Sequence, residues 1–167
     1  MLCQLAADQG TTVIGVTSSE VKEAAVRKAG AAHVMSYDNF ADRVRELTGG
    51  VDAVYDSVGN ATFAGSLACL RPRGTLVLYG QSSGSVDGFD PHQLAVGSLY
   101  LTRPMLSHYN TTPERMRDRA ATLFGMLREG RLTFAVHATY PLEEASRAHL
   151  ALGSRQTIGK VLLAAGA

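Results

Sequence analysis

Hydrophobic residues in this chain form short continuous runs that alternate with stretches of helical periodicity. Three of these runs end in small polar residues and precede a helical pattern, at residues 13–19, 53–59 and 76–84. Continuous apolar strands that alternate with helices predict a parallel sheet covered on both faces. Ligands bind such sheets at the carboxyl ends of the strands. The pattern therefore predicts an α/β fold and the edge at which a ligand would bind.

The same alternation continues over the first two thirds of the chain. It predicts strands at 12–17, 33–36, 51–56, 75–79 and 98–103, and helices at 1–9, 19–29, 40–47, 61–70 and 91–96. Pro72 cannot continue the helix before it. The Ser- and Gly-rich loop at 80–90 is long enough to be a binding loop. The chain opens on a helix, so the first strand and the glycine-rich turn that should begin such a domain are missing.

The last third of the chain has a different composition. The run Thr111-Thr112-Pro113-Glu114 is a strong helix start, with a hydroxyl cap, a proline and an acid in the first turn. A helix to about residue 129 is predicted, followed by a strand at 134–140, a helix at 142–152 and a strand at 158–163. We therefore expect a doubly wound domain at 1–110 and a C-terminal segment at 111–167.

Composition and charge exclude several classes of function. The 167 residues are 46% hydrophobic and 19% charged, as in a globular protein with one core. A net charge of +1 gives no basic field for nucleic acid or an anionic membrane. No apolar run approaches the roughly 20 residues of a membrane span, and no leader is visible, so a cytoplasmic location is expected. Cys3 and Cys69 are expected to be buried free thiols.

The end of the second predicted strand indicates which nucleotide would fit. NAD sites normally place an acid there for the ribose hydroxyls, whereas this strand ends in Thr17-Ser18-Ser19, with Lys22 one helical turn later. Hydroxyls and an ammonium group suit a 2′-phosphate. Glu20 is explained as a first-turn partner of the helix dipole. The alternative is that Lys22 is an ordinary solvated helix charge.

Two further strand ends carry side chains that could face a planar ring. The first is Tyr55-Asp56-Ser57-Val58-Gly59, and the second is Tyr79-Gly80-Gln81. The alternative for the first is a turn in which Ser57 or Asn60 merely caps the next helix. The alternative for the second is an ordinary turn.

Other chemistries lack support in the sequence. The histidines have no metal-ligand spacing, so we expect no metal site; they are His33, His92, His108, His137 and His149. Neither a Gly-x-Ser-x-Gly elbow nor a P-loop is present. No side chain is an obvious acid or base, so catalytic residues are not assigned.

Together these residues resemble the zinc-independent quinone oxidoreductases, the crystallin-like branch of the medium-chain dehydrogenase/reductase superfamily. The resemblance extends over essentially the whole chain. The matching segments are residues 2–6, 51–59 (Val-Asp-Ala-Val-Tyr-Asp-Ser-Val-Gly), 66–74, 97–104 (with Leu-Thr-Arg-Pro), 140–142 and 157–163.

The resemblance implies a Rossmann-type domain that binds NADPH. Ser18 and Lys22 would hold the 2′-phosphate, and Tyr37 would line the adenosine side. The nicotinamide side and the turn over the cofactor would be formed by Ser57, Val58, Tyr79, Gly80 and Gln81, although Asn is commoner than Gln at the last position. Arg155 and Lys160 match basic positions near the phosphates or the cleft; the alternative is surface charge on a terminal hairpin.

The implied reaction is hydride transfer from NADPH to a quinone or a related conjugated carbonyl, without zinc. The resemblance also implies a homodimer through the strand from Ser98 to Arg103. The family's catalytic domain, first strand and glycine-rich turn do not precede this segment. We therefore expect a fragment or a misplaced start that is inactive by itself. Alternatives are an enoyl-thioester reductase fragment and a non-catalytic nucleotide-binding or assembly module. A methyltransferase-like domain is disfavoured because no acid ends the second strand.

Overall fold

The computed structural model describes residues 1–154 and 156–166 as a mixed α/β protein. The strands are β1 (Ile14–Thr17), β2 (His33–Ser36), β3 (Val51–Asp56), β4 (Leu70–Leu78), β5 (Tyr100–Thr102), β6 (Val136–Pro141) and β7 (Lys160–Ala164). The α-helices are α1 (Leu2–Asp8), α2 (Glu20–Lys28), α3 (Phe40–Thr48), α4 (Phe63–Ala68), α5 (Leu106–Tyr109), α6 (Pro113–Arg128) and α7 (Ala145–Gly153). Short 3₁₀ helices occupy Pro91–Val96 and Leu142–Glu144.

The strands pair in three sheets, with orders β1-β2, β3-β4-β5 and β6-β7. The pairs β3-β4 and β4-β5 are parallel, which confirms the predicted parallel sheet for these strands. The pair β6-β7 is parallel as well, a pairing that the sequence did not predict. Asp56 at the end of β3 pairs with Leu78 at the end of β4. The carboxyl ends of these two strands are therefore level, and the loops that follow them begin side by side.

The chain divides into two compact units, and the one that contains β3, β4 and β5 comprises residues 16–18 and 35–120. Its core consists of apolar side chains from α4, from β4 and from the residue before β5, with Leu76 fully buried. The buried cluster is Phe63, Leu67, Leu70, Leu76 and Leu99. The rings of Phe63 and Phe89 meet edge to face with centroids 5.3 Å apart, a favourable aromatic geometry.

The other unit comprises residues 1–15 and 19–34 and the described residues from 121 onwards. In it, α1 is tied to the chain after α6 by polar side chains. Arg131 donates to both carboxylate oxygens of Asp8 at 3.0 and 2.6 Å. These bonds lower the pKa of Asp8 below its usual value. Gln4 donates to the Thr133 hydroxyl at 3.0 Å and accepts from the Thr133 backbone at 3.1 Å.

Most element boundaries lie within two or three residues of the prediction, and α4 and β4 differ most. The helix predicted at 61–70 is only α4, because the Cys69 carbonyl accepts from Val51 N–H at 2.9 Å and leads the chain into β4. The turn expected at 71–74 therefore lies inside the strand, with an irregular register opposite Val51 and Arg73 at φ 65°. The short helix α5 was not predicted.

Both cysteines are free thiols, Cys69 buried and Cys3 partly exposed. Burial raises the pKa of Cys69 to about 11. Within residues 1–154 and 156–166, none of the helices combines the length and apolar character that crossing a bilayer requires. The division near residue 110 stays a prediction.

Candidate functional site

The loops that follow β3 and β4 are joined along their backbones. We call residues 57–62 the first loop and residues 79–84 the second loop. Backbone N–H groups of the second loop donate to Ser57 O from Ser82 (3.3 Å) and to Val58 O from Ser83 (2.8 Å). In the reverse direction, Asn60 N–H donates to Gly84 O at 3.2 Å. Each loop thus satisfies backbone groups that the other would leave open.

The side chain of Ser83 adds two more bonds between the loops. Its hydroxyl donates to the Val58 carbonyl at 2.7 Å and accepts from the Ala61 N–H at 3.0 Å. A hydroxyl can donate and accept at once. Ser83 is therefore a bridge between the loops rather than a free nucleophile.

Two glycines allow the loops to approach this closely. A Cβ atom on Gly80 would lie 2.3 Å from the Ser57 carbonyl oxygen, well inside any allowed contact. Gly59 has φ +88°, and a Cβ atom there would lie 2.7 Å from the Gly84 carbonyl oxygen. Glycine is therefore required at position 59 because φ is positive and because a side chain would clash. At position 80 it is required because a side chain would clash.

The carboxylate of Asp56 lies beneath the first loop and is only 4% exposed. Its Oδ1 accepts from Val58 N–H at 2.7 Å and Gly59 N–H at 3.0 Å. Its Oδ2 accepts from the hydroxyls of Thr62 and Ser66, both at 2.8 Å. Four donors offset the desolvation of a buried carboxylate, which without partners would be strongly unfavourable.

The alternative that Ser57 or Asn60 caps the helix after β3 is wrong. The N-cap of α4 is Thr62, and no side-chain cap bond is present there. Neither Ser57 nor Asn60 occupies that position. The N–H groups at the turn are satisfied instead by Asp56, the last residue of β3.

The structure brings together five of the predicted site residues. In the first loop, Ser57 and Val58 are half-buried. In the second loop, Gly80 is half-buried and its neighbours Tyr79 and Gln81 are exposed. Tyr79 N–H donates to the Asp56 carbonyl at 2.9 Å. These positions therefore form one edge at the ends of β3 and β4, as the sequence predicts.

The other predicted residues lie on separate elements. Ser18 is exposed immediately after β1, and Lys22 is half-buried near the start of α2. Tyr37 is exposed after β2, and Lys160 is exposed at the start of β7. Arg155 lies outside the described residues. The roles assigned to all five remain predictions.

Two acids lie near the end of β1, where NAD sites place the acid that binds the ribose hydroxyls. Glu23 on α2 accepts from Arg27 at 3.0 and 2.6 Å, an i, i+4 pair. Glu20 is exposed and is the first residue of α2. In the part of the chain that the structure describes, no three His, Cys, Asp or Glu residues come together as a metal site would need.

The sequence motif that contains Asp56 does not by itself assign this residue a role. One signal is present in the sequence, because Thr62 and Ser66 are four residues apart and therefore lie on one face of the helix predicted after Asp56. The buried carboxylate could not be inferred, since it depends on how tightly the loop turns back over β3.

The sequence profile described as zinc-binding dehydrogenase matches residues 1–122. Among curated proteins, the chain is 45% identical over 160 residues to a 2-haloacrylate reductase of a Burkholderia species, covering 92% of this chain and 48% of that protein. It is 42% identical over 166 residues to the quinone oxidoreductase of Pseudomonas aeruginosa, covering 96% of this chain and 51% of that protein. The chain spans about half the length of these curated relatives.

Solved structures show the same similarity. A mycobacterial protein complexed with NADPH aligns with a TM-score of 0.92 at 47% identity, over 98% of this chain and 52% of that one. Escherichia coli quinone oxidoreductase complexed with NADPH aligns with a TM-score of 0.91 at 40% identity, over 98% of this chain and 52% of that one. The α/β fold with parallel strands therefore matches a Rossmann-like cofactor-binding domain.

Proposed function

The chain belongs to the zinc-binding dehydrogenase family, and from this premise we propose that it is the cofactor-binding part of an NADPH-dependent oxidoreductase. The observation that carries the proposal is the pair of interlocked loops at the carboxyl ends of β3 and β4. In doubly wound sheets this edge is where a nucleotide binds. The proposed domain ends near residue 110, and residues 111–167 form a separate C-terminal segment.

The donors at the ends of β1 and β2 fit the adenosine half of NADPH. An exposed Ser18 hydroxyl and the Lys22 ammonium group offer a hydrogen bond and a positive charge to a 2′-phosphate. The exposed ring of Tyr37 offers a flat surface to the adenosine side. Arg155 and Lys160 would bind near the phosphates or the cleft.

The loop pair fits the nicotinamide half. NADPH supplies the hydride when it is bound, and the protein supplies orientation. The backbone of Ser57 and Val58 would contact the ring side of the cofactor. Tyr79, Gly80 and Gln81 would cover it, with the exposed ring of Tyr79 as the largest contact surface.

The proposed acceptor is a quinone or a related conjugated carbonyl, reduced without zinc. One observation supports this class of acceptor. Relatives include quinone oxidoreductases and a 2-haloacrylate reductase, whose acceptors by name are conjugated molecules. The competing assignments are an enoyl-thioester reductase and a non-catalytic nucleotide-binding module.

The test is calorimetric titration with NADPH and NADH. We expect NADPH to bind more tightly, and Lys22→Ala to weaken NADPH binding about tenfold or more, because a charge-assisted contact contributes roughly 1.5–3 kcal/mol. NADH binding should change little, since it lacks the 2′-phosphate. Lys28→Ala, at the other end of α2, is the matched control and should leave both affinities unchanged. An equal loss of affinity for NADPH and NADH in Lys22→Ala would show that Lys22 does not bind the 2′-phosphate.

A further inference from the structure

We infer that Asp56 is the positioning residue of the cofactor edge, by which we mean the first and second loops at the carboxyl ends of β3 and β4. Asp56 sets the orientation of the peptide groups at Ser57–Val58 and Val58–Gly59 without touching the cofactor. The inference rests on the proposed function, because it assigns a cause to the shape of the loops that would hold the nicotinamide. It concerns residues of one compact unit only.

The first step is the anchoring of the carboxylate. Thr62 and Ser66 lie four residues apart, so their hydroxyls point from the same face at the end of α4 nearest the loop. Both donate to Oδ2 at 2.8 Å. One oxygen of Asp56 is therefore fixed to the helix, which leaves Oδ1 in a defined place beneath the first loop.

The second step is the orientation of two peptide planes. Oδ1 accepts from Val58 N–H and Gly59 N–H, which belong to consecutive peptide groups. In a trans peptide the N–H and C=O point in opposite directions. Drawing both N–H groups down toward Asp56 therefore turns the carbonyls of Ser57 and Val58 away from the carboxylate.

The third step links these carbonyls to the second loop. Ser57 O accepts from Ser82 N–H at 3.3 Å, and Val58 O accepts from Ser83 N–H at 2.8 Å and the Ser83 hydroxyl at 2.7 Å. The second loop is thus attached to the two groups that Asp56 orients. A change at one buried carboxylate should alter both loops, including Tyr79, Gly80 and Gln81.

A purely structural role would give a different result, and paired variants separate the two. Asp56→Ala removes the acceptors for both loop N–H groups. Asp56→Asn keeps Oδ1, and its amide nitrogen can donate to the Thr62 and Ser66 hydroxyls, which also accept. Leu67→Val removes one buried methylene from α4 and is the stability control, expected to lower the midpoint of thermal unfolding while leaving the loop bonds intact.

Two readouts are needed: the NADPH dissociation constant by calorimetry, and hydrogen exchange at the Val58 and Gly59 amides by NMR. For Asp56→Ala we expect fast exchange at both amides, because both N–H groups lose their acceptor. We expect NADPH binding at least about tenfold weaker, roughly 1.4 kcal/mol, because the two peptide groups would no longer be held in place. Asp56→Asn should match the unmodified protein in both amide exchange and NADPH affinity. Leu67→Val should lower the midpoint of thermal unfolding and change neither readout.

The inference is overturned if Asp56→Ala loses amide protection and still binds NADPH as the unmodified protein does. It is equally overturned if Leu67→Val weakens NADPH binding as much as Asp56→Ala. Should Asp56→Ala fail to fold, the double variant Thr62→Val/Ser66→Ala decides: faster exchange at Val58 with weaker NADPH binding supports the role, and unchanged binding overturns it. If the unmodified protein binds no NADPH, the proposed function and the positioning role fail together, whereas failure of the variants alone leaves the proposed function standing.

Discussion

At the scale of single residues, the most demanding position of the cofactor edge is Gly80. Its backbone approaches the Ser57 carbonyl so closely that a side chain cannot be added without separating the loops. The close approach has a function in the proposal, because it lets the second loop lie across the peptide groups of the first.

Replacement of Gly80 by alanine is expected to separate the two loops. The added Cβ would lie 2.3 Å from Ser57 O, and three atoms of Ser57 would lie within 2.8 Å. We expect a loss of about 1–3 kcal/mol in the free energy of unfolding, typical of overpacking, together with weaker NADPH binding. Urea denaturation and calorimetry measure the two effects.

The control for this substitution is Gly125→Ala on α6. Apart from its chain neighbours and the backbone of its own helix, no atom of the described residues lies within 4 Å of a Cβ atom placed there. Alanine also favours a helix over glycine by up to about 1 kcal/mol. Gly125→Ala should therefore be neutral or stabilising. Equal stability of the Gly80→Ala variant and the unmodified protein would contradict the tight packing of the loops.

Sequence reasoning at this scale identified residues better than roles. Strand-end residues such as Ser57 and Tyr79 could be found because parallel strands bring their carboxyl ends to one edge. Ser83 could not, since its role consists of hydrogen bonds to a loop more than 20 residues away in sequence. Asp56 could not, since its role depends on how tightly the first loop turns back over β3.

At the scale of elements, apolar runs and helix-start signals predicted the alternation well. His33–Ser36 and Val51–Asp56 have the predicted bounds, and Thr112 Oγ1 accepts from Arg115 N–H at 3.3 Å as a hydroxyl cap should. The errors arose where tertiary contacts override local signals. Val51 pairs with the chain directly after α4, so β4 starts before the proline that local reasoning treated as a turn.

The terminal strand β5 carries the prediction of self-association. It is the last strand in the order β3-β4-β5, and an uncovered edge strand can pair with a second copy. The two leucines in this segment do not form an apolar edge, because Leu99 is buried in the core and Leu101 packs against it. Tyr100, 57% exposed, is the apolar side chain that the strand presents.

We therefore propose a homodimer through Ser98 to Arg103 and expect Tyr100→Lys to weaken it, because a charge on an edge strand opposes pairing. Light scattering across a dilution series measures the mass. Leu47→Lys on α3, a comparably exposed apolar position, is the control and should leave the dimer intact. A well-folded monomer in the unmodified protein would contradict the proposal.

At the scale of the whole molecule, the described residues form β1-β2 and β3-β4-β5 as separate sheets. These 167 residues lack a glycine-rich turn of the Gly-Gly-x-Gly type to receive a pyrophosphate. They span about half of the curated relatives. NADPH binding and quinone reduction must therefore be measured separately for this chain.

We expect residues 1–167 alone to reduce a simple benzoquinone with NADPH more slowly than about 1 s⁻¹, the low end of ordinary enzymes. The reason is that hydride transfer needs the acceptor held in near contact with the nicotinamide, and we expect these strand ends to contact the cofactor but not to hold the acceptor against it. The assay is steady-state oxidation of NADPH, corrected for the uncatalysed reaction. Faster turnover would show that these residues form a working enzyme.

Binding of NADPH at the carboxyl ends of the strands can be observed by an NADPH titration followed by amide NMR. We expect chemical-shift changes at Ser18 and Lys22, in the first loop at 57–59 and in the second loop at 79–81. Repeating the titration with NADH should reduce the changes at Ser18 and Lys22 and preserve those in the loops. Changes confined to other parts of the chain, or none at saturating NADPH, would show that NADPH does not bind at this edge.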